Sequence, residues 1–309
     1  MGTPEQVIAA EGLAKRYGDT VALGGVSFSL GDRAIGLLGA NGAGKSTLMR
    51  IMLGLARADG GRVRVLGHDV SAGPGDLRRR LGYMPEGEAL PLDMAARDLV
   101  VHMAELRGLT RRAAVLRASE VLFQVGLEEE RSRLIRTFST GMRQRTKLAQ
   151  AIVHSPDLVV LDEPTNGLDP AGRVEMLALV RRLSADLGIR VLMSSHVLED
   201  VVRTCDALLV LRQGRVAAAG GLDELVGTRA GGVLVRVGGE PGPVRARLAA
   251  LGLASRGVEG QDRSFVLERD DDAALDALRD AVADEGAAIR ELRPAGADVA
   301  EALVEALGG

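Results

Sequence analysis

The sequence predicts an α/β protein with a parallel sheet, followed by a small α+β domain. Three observations lead to this fold class. The loop Gly39–Thr47 lies between a short apolar run and a helix-like pattern, which is the setting of a P-loop. The continuous apolar run Leu158–Leu161 ends in two carboxylates, as expected for a central parallel strand. From Val233 onward the elements alternate as β-α-β-β-α-β, which predicts a ferredoxin-like module.

Length and composition limit the possible organisations of the chain. With 309 residues it exceeds the size at which a single core stops growing, about 250–300 residues, so we predict two domains. The glycine-rich stretch from Gly220-Gly221 to Gly232 favours a boundary there, giving a first domain over residues 1–225 and a second over 226–309. The net charge of −3 provides no basic field, so no nucleic acid partner is expected.

Two further features concern the compartment. The single cysteine, Cys205, excludes an internal disulfide and suits a reducing compartment. The N-terminus lacks a basic segment followed by an apolar one, and no stretch approaches about 18 apolar residues. We therefore expect that, if this protein serves a membrane, another chain spans it.

The loop Gly39–Thr47 fits the pattern G-x-x-x-x-G-K-[ST]. Its glycines allow backbone N–H groups to approach an anion, and the following helix adds about half a positive charge at its N-terminus. Lys45 would reach the β- and γ-phosphates, and the Ser46 hydroxyl a Mg²⁺ ion. A glycine-rich turn is the alternative in a chain with 40 glycines, but one of only three lysines falls in this frame, which favours the P-loop.

The segments around this loop resemble short strands. Before it, alternating apolar and polar residues predict strands, and Tyr17 ends one of them. A phenol ring about twenty residues before a P-loop could stack on adenine, or it could be a half-buried strand-end tyrosine; the spacing leaves both open. After the first helix, a further strand leads to Glu86 near the sheet edge. The predicted strands in this half are Val7–Ala10, Val21–Leu23, Val26–Leu30, Arg62–Gly67 and the run from Leu81 to Glu86.

Between Leu90 and Leu134 the apolar spacing changes to that of helices. Phe138–Met142 then begins another helix, for which Ser139 or Thr140 is a good N-cap. The exposed amides at this N-terminus could form a second anion site, although the Ser-Thr-Gly residues taken alone favour an ordinary cap.

Three polar side chains follow predicted strands on the same sheet edge. Asp162 can hold Mg²⁺ through water, and Glu163 is placed to polarise an attacking water. His196 follows the predicted strand Ile189–Met193, and its position favours function over a structural role. A solvated Asp-Glu pair is the alternative for the two carboxylates.

The second domain carries no histidine, cysteine or lysine, so we expect a regulatory or partner-docking role there. Its predicted elements are strand Val233–Val237, helix Val244–Leu251, strand Val258, strand Ser264–Leu267, helix Ala273–Val282, strand Ala288–Leu292 and helix Val299–Leu307.

Taken together, residues 1 to about 225 resemble the ATP-binding subunit of ABC transporters, and the order of motifs is far more specific than the P-loop alone. The resemblance implies a P-loop ATPase core with a parallel sheet, an antiparallel β subdomain and a helical subdomain. It places the adenine-stacking A-loop at Tyr17, Walker A at Gly39–Thr47, the Q-loop at Glu86 and the signature at Phe138–Met142. It places Walker B at Leu158–Asp162, the catalytic glutamate at Glu163, the D-loop at Gly167–Asp169 and the switch histidine at His196. ATP-binding residues are then Tyr17, Asn41, Gly42, Gly44, Lys45, Ser46, Thr47, Ser139, Gly141 and Asp169; Mg²⁺ ligands are Ser46, Glu86 and Asp162; and Glu163, His196 and Lys45 are catalytic.

The sequence departs from the family pattern at two motifs. The Q-loop glutamine is Glu86, and the signature, usually Leu-Ser-Gly-Gly-Gln, is Phe-Ser-Thr-Gly-Met, in which Ser139 and Gly141 remain. Both variants look like those of bacterial exporters of the drug-resistance and sodium-efflux kind. The resemblance implies a homodimer that closes head to tail around ATP beneath a separately encoded integral membrane permease. The chain is then expected to be cytoplasmic and peripheral on the inner face of the cell membrane.

We therefore predict an ATP-hydrolysing subunit of an exporter. A soluble ABC ATPase acting on ribosomes or nucleic acid is an alternative, which would normally show two cassettes, long coiled coils or basic segments, and none is present. A regulator that binds ATP without turnover is a third hypothesis, against which Glu163 and His196 argue. The transported cargo is not predictable, because specificity in this family lies in the permease.

Overall fold

The computed structural model describes residues 6–73, 75–87, 90–222, 225, 232–258, 263–269 and 271–294. The chain divides into two compact units, residues 1–221 and the residues that follow. In the described part of the chain, no helix is long and apolar enough to cross a membrane.

The first unit contains ten strands and seven α-helices among its described residues. The strands are β1 (Ile8–Tyr17), β2 (Thr20–Leu30), β3 (Ala34–Leu38), β4 (Gly60–Val65), β5 (His68–Asp69), β6 (Leu81–Met84), β7 (Leu158–Leu161), β8 (Arg190–Ser195), β9 (Ala207–Arg212) and β10 (Arg215–Gly221). The helices are α1 (Lys45–Met52), α2 (Leu77–Arg80), α3 (Ala96–Leu106), α4 (Arg111–Gln124), α5 (Thr140–Ile152), α6 (Pro170–Ala185) and α7 (Leu198–Thr204), with 3₁₀ turns at Val70–Ala72 and Ile135–Thr137.

The main sheet has the order β10-β9-β3-β8-β7-β6. All neighbours in it are parallel except β10, which runs antiparallel to β9. Every residue of β3 and β7 is buried, as expected for strands covered on both faces. The predicted parallel α/β core is confirmed.

The strand β10 was not predicted, because its sequence contains mainly alanine and glycine. Gly220 and Gly221 were interpreted as part of the boundary between domains, but they pair with Leu208 and Ala207 in β9. The strand β10 lies at the edge of the sheet and forms hydrogen bonds with only one neighbouring strand, so small residues are tolerated in it.

A second, antiparallel sheet has the order β2-β1-β4-β5. Two separate strands were predicted where the structure has the single strand β2. The pairing shifts between Leu13↔Val26 and Ala14↔Gly24, so Gly25 is left as an extra residue with a φ of 85°. The bulge needs the positive φ that glycine accepts, and the strand continues through it.

The predicted helical region between Leu90 and Leu134 is present as α3 and α4, which pack on each other and on α5. Their buried faces carry Leu99, Val100, Ala118, Val121 and Leu122. This region separates the chain after β6 from the start of α5.

The second unit has an antiparallel sheet and two described helices. Its elements are β11 (Val233–Val237), α8 (Pro241–Ala250), β12 (Ser255–Gly257), β13 (Ser264–Leu267), α9 (Asp272–Asp284) and β14 (Ile289–Pro294). Along the chain these elements follow one another as β-α-β-β-α-β, as predicted. In the sheet the strand order is β12-β13-β11-β14. The strand predicted at Val258 lies at Ser255–Gly257 instead, and the predicted helix Val299–Leu307 falls outside the described residues.

Candidate active site

The polar residues predicted to act together follow four neighbouring strands of the main sheet. The order β3-β8-β7-β6 places these strands side by side, and they are parallel. The P-loop therefore follows β3, His196 follows β8, Asp162 and Glu163 follow β7, and Glu86 follows β6. All of them are delivered to one sheet edge, which is where ligands bind in open α/β sheets.

The P-loop joins β3 to α1 without a side-chain cap on the helix. Gly44 is the N-cap, with a φ of 106°, and a Cβ there would lie 2.6 Å from the carbonyl oxygen of Ala22. Both the dihedral and the close contact require glycine. The backbone N–H groups of the first turn are thus left for an anion, which the helix dipole also favours.

Lys45, Glu163 and His196 form a chain of contacts at this edge. The Lys45 ammonium donates to the carbonyl oxygen of Gly39 at 2.5 Å and lies 3.2 Å from Oε1 of Glu163. The other carboxylate oxygen, Oε2, lies 2.9 Å from Nδ1 of His196. A carboxylate only accepts hydrogen bonds, so this contact requires the proton of the imidazole on Nδ1. The side chains of Lys45 and Glu163 are both 7% exposed, whereas that of His196 is 55% exposed.

Asp162 and Glu163 are connected through Ser194, which lies on β8 and is fully buried. Its hydroxyl donates to Oδ1 of Asp162 at 2.8 Å and accepts from the backbone N–H of Glu163, also at 2.8 Å. Glu163 has a φ of 49°, a left-handed conformation that non-glycine residues rarely adopt. Sequence reasoning named the histidine that follows this strand and missed Ser194. Its position at the end of the strand was the only available signal.

The pKa of Asp162 is raised, chiefly because burial disfavours the charged carboxylate. The hydrogen bond donated by Ser194 lowers it, the carboxylates of Glu86 and Glu163 raise it, and the charge of Lys45 lowers it. A cation placed beside these three carboxylates would relieve their mutual repulsion.

The P-loop residues and the carboxylates of Glu86, Asp162 and Glu163 line an open cleft of about 190 Å³. The lining comprises Thr20, Val21, Ala22, Ala40, Asn41, Gly42, Gly44, Lys45, Ser46, Thr47, Glu86, Asp162 and Glu163. The structure thus brings together the predicted P-loop residues and the predicted carboxylates. Tyr17 is not among the described lining residues, and its side chain is 49% exposed. It pairs with Thr20, which does line the cleft.

The donor atoms in this cleft fit Mg²⁺. Ser46 supplies a hydroxyl and Asp162 and Glu86 supply carboxylates, all hard oxygen donors. Among the residues that the structure describes, no cluster of three or more His, Cys, Asp or Glu residues could hold a metal by itself. Mg²⁺ suits such a site because it usually takes one or two carboxylates together with phosphates and water.

A second pocket, of about 520 Å³, contains the signature and D-loop residues. Ser139 caps α5 by accepting from the N–H of Met142 at 3.2 Å, and Asp169 caps α6 by accepting from that of Gly172 at 2.8 Å. Both line this pocket with Gly141. None of the three lines the P-loop cleft, so the structure does not bring them to the P-loop of their own chain.

The loop after β6 contacts α5 and Asn166. The ammonium of Lys147, on α5, donates to the carbonyl oxygens of Pro85, Glu86 and Gly87 at 2.8, 3.0 and 3.2 Å. Oε1 of Glu86 accepts from Nδ2 of Asn166 at 3.2 Å. The Glu86 loop is therefore connected to the helix that begins at the signature.

The parallel core, the P-loop and the carboxylates at the ends of β6 and β7 define an ATPase of the P-loop class. Comparison with known proteins gives the family. The family described as "ABC transporter" matches residues 23–166. The daunorubicin/doxorubicin resistance ATP-binding protein DrrA of Streptomyces peucetius is 38% identical over 232 residues, covering 75% of this chain and 70% of that protein.

Two further comparisons agree. The Nod factor export ATP-binding protein I of Burkholderia orbicola is 36% identical and covers 77% of this chain and 78% of its own length. A solved structure of an ATP-binding subunit of an ABC transporter has a TM-score of 0.62 and 31% identity, covering 71% of this chain and 91% of that one. The chain belongs to the ATP-binding subunits of ABC transporters, and it is an ATPase.

Proposed function

We propose that this chain hydrolyses ATP to drive export through a separately encoded membrane permease, to which it binds at the inner face of the cell membrane. Relatives whose names refer to drug resistance and to export support this proposal over a role on ribosomes or nucleic acid. The cargo is that of the permease and is not specified by this chain.

The observation that carries the proposal is the position of Glu163. It lies between Lys45 and His196, with Asp162 attached to the same serine hydroxyl. This is the arrangement needed for hydrolysis, since phosphoryl transfer depends mainly on positioning and on electrostatic stabilisation. A regulator that only bound nucleotide would not require a carboxylate in a left-handed backbone conformation beside its P-loop lysine.

The residues have distinct roles in the proposed reaction. The backbone N–H groups of the P-loop bind the phosphates, and Lys45 leaves Glu163 to contact the β- and γ-phosphates. Ser46, Asp162 and Glu86 would hold Mg²⁺, which neutralises charge that develops on the phosphates when it is bound.

Glu163, freed from Lys45, accepts a proton from the attacking water, or at least orients that water. The water oxygen forms a bond to the γ-phosphorus while the bond to the β–γ bridging oxygen breaks, so ADP and phosphate leave.

We further propose that two copies pair head to tail around ATP. Ser139, Gly141 and Asp169 lie in a pocket of their own, and the exposed N-terminus of α5 suits an anion. A second copy would supply its P-loop and ATP to this pocket. Each site is then completed by both chains, and an isolated monomer should be nearly inactive.

Affinity purification of the tagged chain from membranes of its native cell tests the proposal. A polytopic membrane protein should come with the chain, and the complex should hydrolyse ATP. Recovery with ribosomes or nucleic acid instead, or an ATPase that never associates with a membrane protein, would contradict the export function.

A further inference from the structure

Ser194 makes two hydrogen bonds, one to each of the two residues that follow β7. Its single proton is donated to Oδ1 of Asp162, and its lone pair accepts the N–H of Glu163. Both bonds are 2.8 Å long, and the side chain is fully buried, so water is not available to replace it. The hydroxyl orientation is therefore determined by its two partners.

Asp162 and Glu163, the two residues bound by Ser194, have different roles in the proposed reaction. Asp162 faces the Mg²⁺ position, and Glu163 faces the attacking water. Glu163 has a φ of 49°, which is costly for a residue with a side chain, and the N–H that Ser194 accepts belongs to this same residue. A bond to that N–H favours the unusual conformation and thereby the direction of the carboxylate towards Lys45 and His196.

We propose that Ser194 is a positioning residue for ATP hydrolysis, whose hydroxyl holds the metal-facing carboxylate of Asp162 and the water-facing Glu163 in one fixed arrangement. This inference rests on the proposed roles of those two residues. Without the hydroxyl, the N–H of Glu163 and one oxygen of Asp162 are left buried with one partner fewer, and the two carboxylates can reorient independently.

The test uses the full chain with three substitutions at this site. Ser194→Thr keeps the hydroxyl and adds a methyl group. Ser194→Val has nearly the shape of threonine but no hydroxyl, and Ser194→Ala lacks the hydroxyl without adding bulk. We expect Val and Ala to lower kcat by about tenfold or more, the effect of losing a hydrogen bond to a charged group, and Thr to retain activity. The Mg²⁺ concentration for half-maximal hydrolysis should rise in Val and Ala, whereas ATP binding measured in EDTA should not change, because the P-loop is intact.

Ser184→Ala is the matched control, since Ser184 is a buried serine whose hydroxyl donates to a backbone carbonyl within α6. At a Tm loss equal to that of Ser194→Ala, Ser184→Ala should leave the Mg²⁺ dependence of hydrolysis unchanged. If Ser194→Ala keeps both kcat and the Mg²⁺ dependence of the parent chain, the inference is wrong, even if Thr fails because it overpacks the site. Glu163→Gln in the same assay distinguishes the proposed role of Glu163 from the inferred role of Ser194. A Glu163→Gln chain that still hydrolyses ATP overturns the role of Glu163 itself. An inactive Glu163→Gln chain beside an active Ser194→Ala chain overturns only the role of Ser194.

Discussion

Replacing Glu163 by glutamine should affect both the reaction and the stability of the nucleotide-free protein. Glutamine keeps the shape of the side chain but removes its charge and its basic oxygen. If Glu163 is the general base, hydrolysis should fall by about 10²–10⁴-fold, the usual contribution of such a group. ATP affinity should be retained, because the P-loop still binds the phosphates.

The structure also predicts the size of the stability effect. Glu163 is the counter-charge of the buried Lys45, and breaking a buried ion pair by removing one partner costs about 3–5 kcal/mol. The amide oxygen of glutamine can still accept from Lys45, so we expect a smaller loss, of about 1.5–3 kcal/mol, which is the range for a hydrogen bond to a charged group. For a unit of this size that corresponds to a Tm lower by about 3–12 °C. Because ATP affinity is retained, the same concentration of ATP should raise the Tm of the variant and of the parent chain by similar amounts.

Three measurements check this prediction: steady-state hydrolysis, thermal unfolding with and without ATP in EDTA, and gel filtration with ATP and Mg²⁺. The variant should accumulate as an ATP-bound dimer, because the head-to-tail dimer that we propose would open only after hydrolysis. Glu11→Gln is the matched control, since Glu11 pairs with Arg62 on the surface and the same change should leave both activity and Tm nearly unaltered. A Glu163→Gln chain that hydrolyses within a few-fold of the parent would move the base to another residue, with His196 the next candidate. One that is slow but monomeric with ATP would leave the head-to-tail dimer without support.

Three other predictions follow from the same structure. Glu86→Gln should remain active, because an amide can still bind Asn166 and Mg²⁺ through oxygen, whereas Glu86→Ala should hydrolyse ATP without driving transport; equal transport by Glu86→Ala and the parent in reconstituted vesicles would refute this. A chain that ends near Gly227 should bind ATP with little loss, since the residues that line the P-loop cleft all precede it, and a folded truncation that no longer binds ATP in calorimetry would contradict this. Burial lowers the pKa of His154, with the charge of Arg107 acting in the same direction, so the unfolded chain takes up a proton near pH 6.5 before the folded chain does. The free energy of unfolding should therefore decrease as the pH falls below about 6.5. Urea unfolding at about pH 7.5 and about pH 5.5 should show a smaller decrease in His154→Asn than in the parent chain. An equal decrease in both chains would mean that other groups cause it.

Much of the fold was predictable from local sequence patterns. The P-loop and the carboxylates after β7 were found because their residue types are contiguous and their neighbours have clear strand or helix patterns. The elements of the second unit were found for the same reason, from Val233 to the helix α9. The strand β10 was missed because alanine and glycine carry little pattern, and the bulge at Gly25 divided β2 into two apparent strands.

By itself, the sequence determined which chemical groups are present and which strand each of them follows. It could not determine which strands are neighbours, because the main sheet is ordered by tertiary packing rather than by position in the chain. Only the tertiary structure placed β8 between β3 and β7, and this order brings Ser194 to within 2.8 Å of Asp162, 32 residues earlier in the chain. The pairing of Lys45 with Glu163 was decided in the same way. Both contacts arise because parallel strands deliver their carboxyl ends to one edge, where charged groups shielded from water must find partners in whichever strand lies beside them.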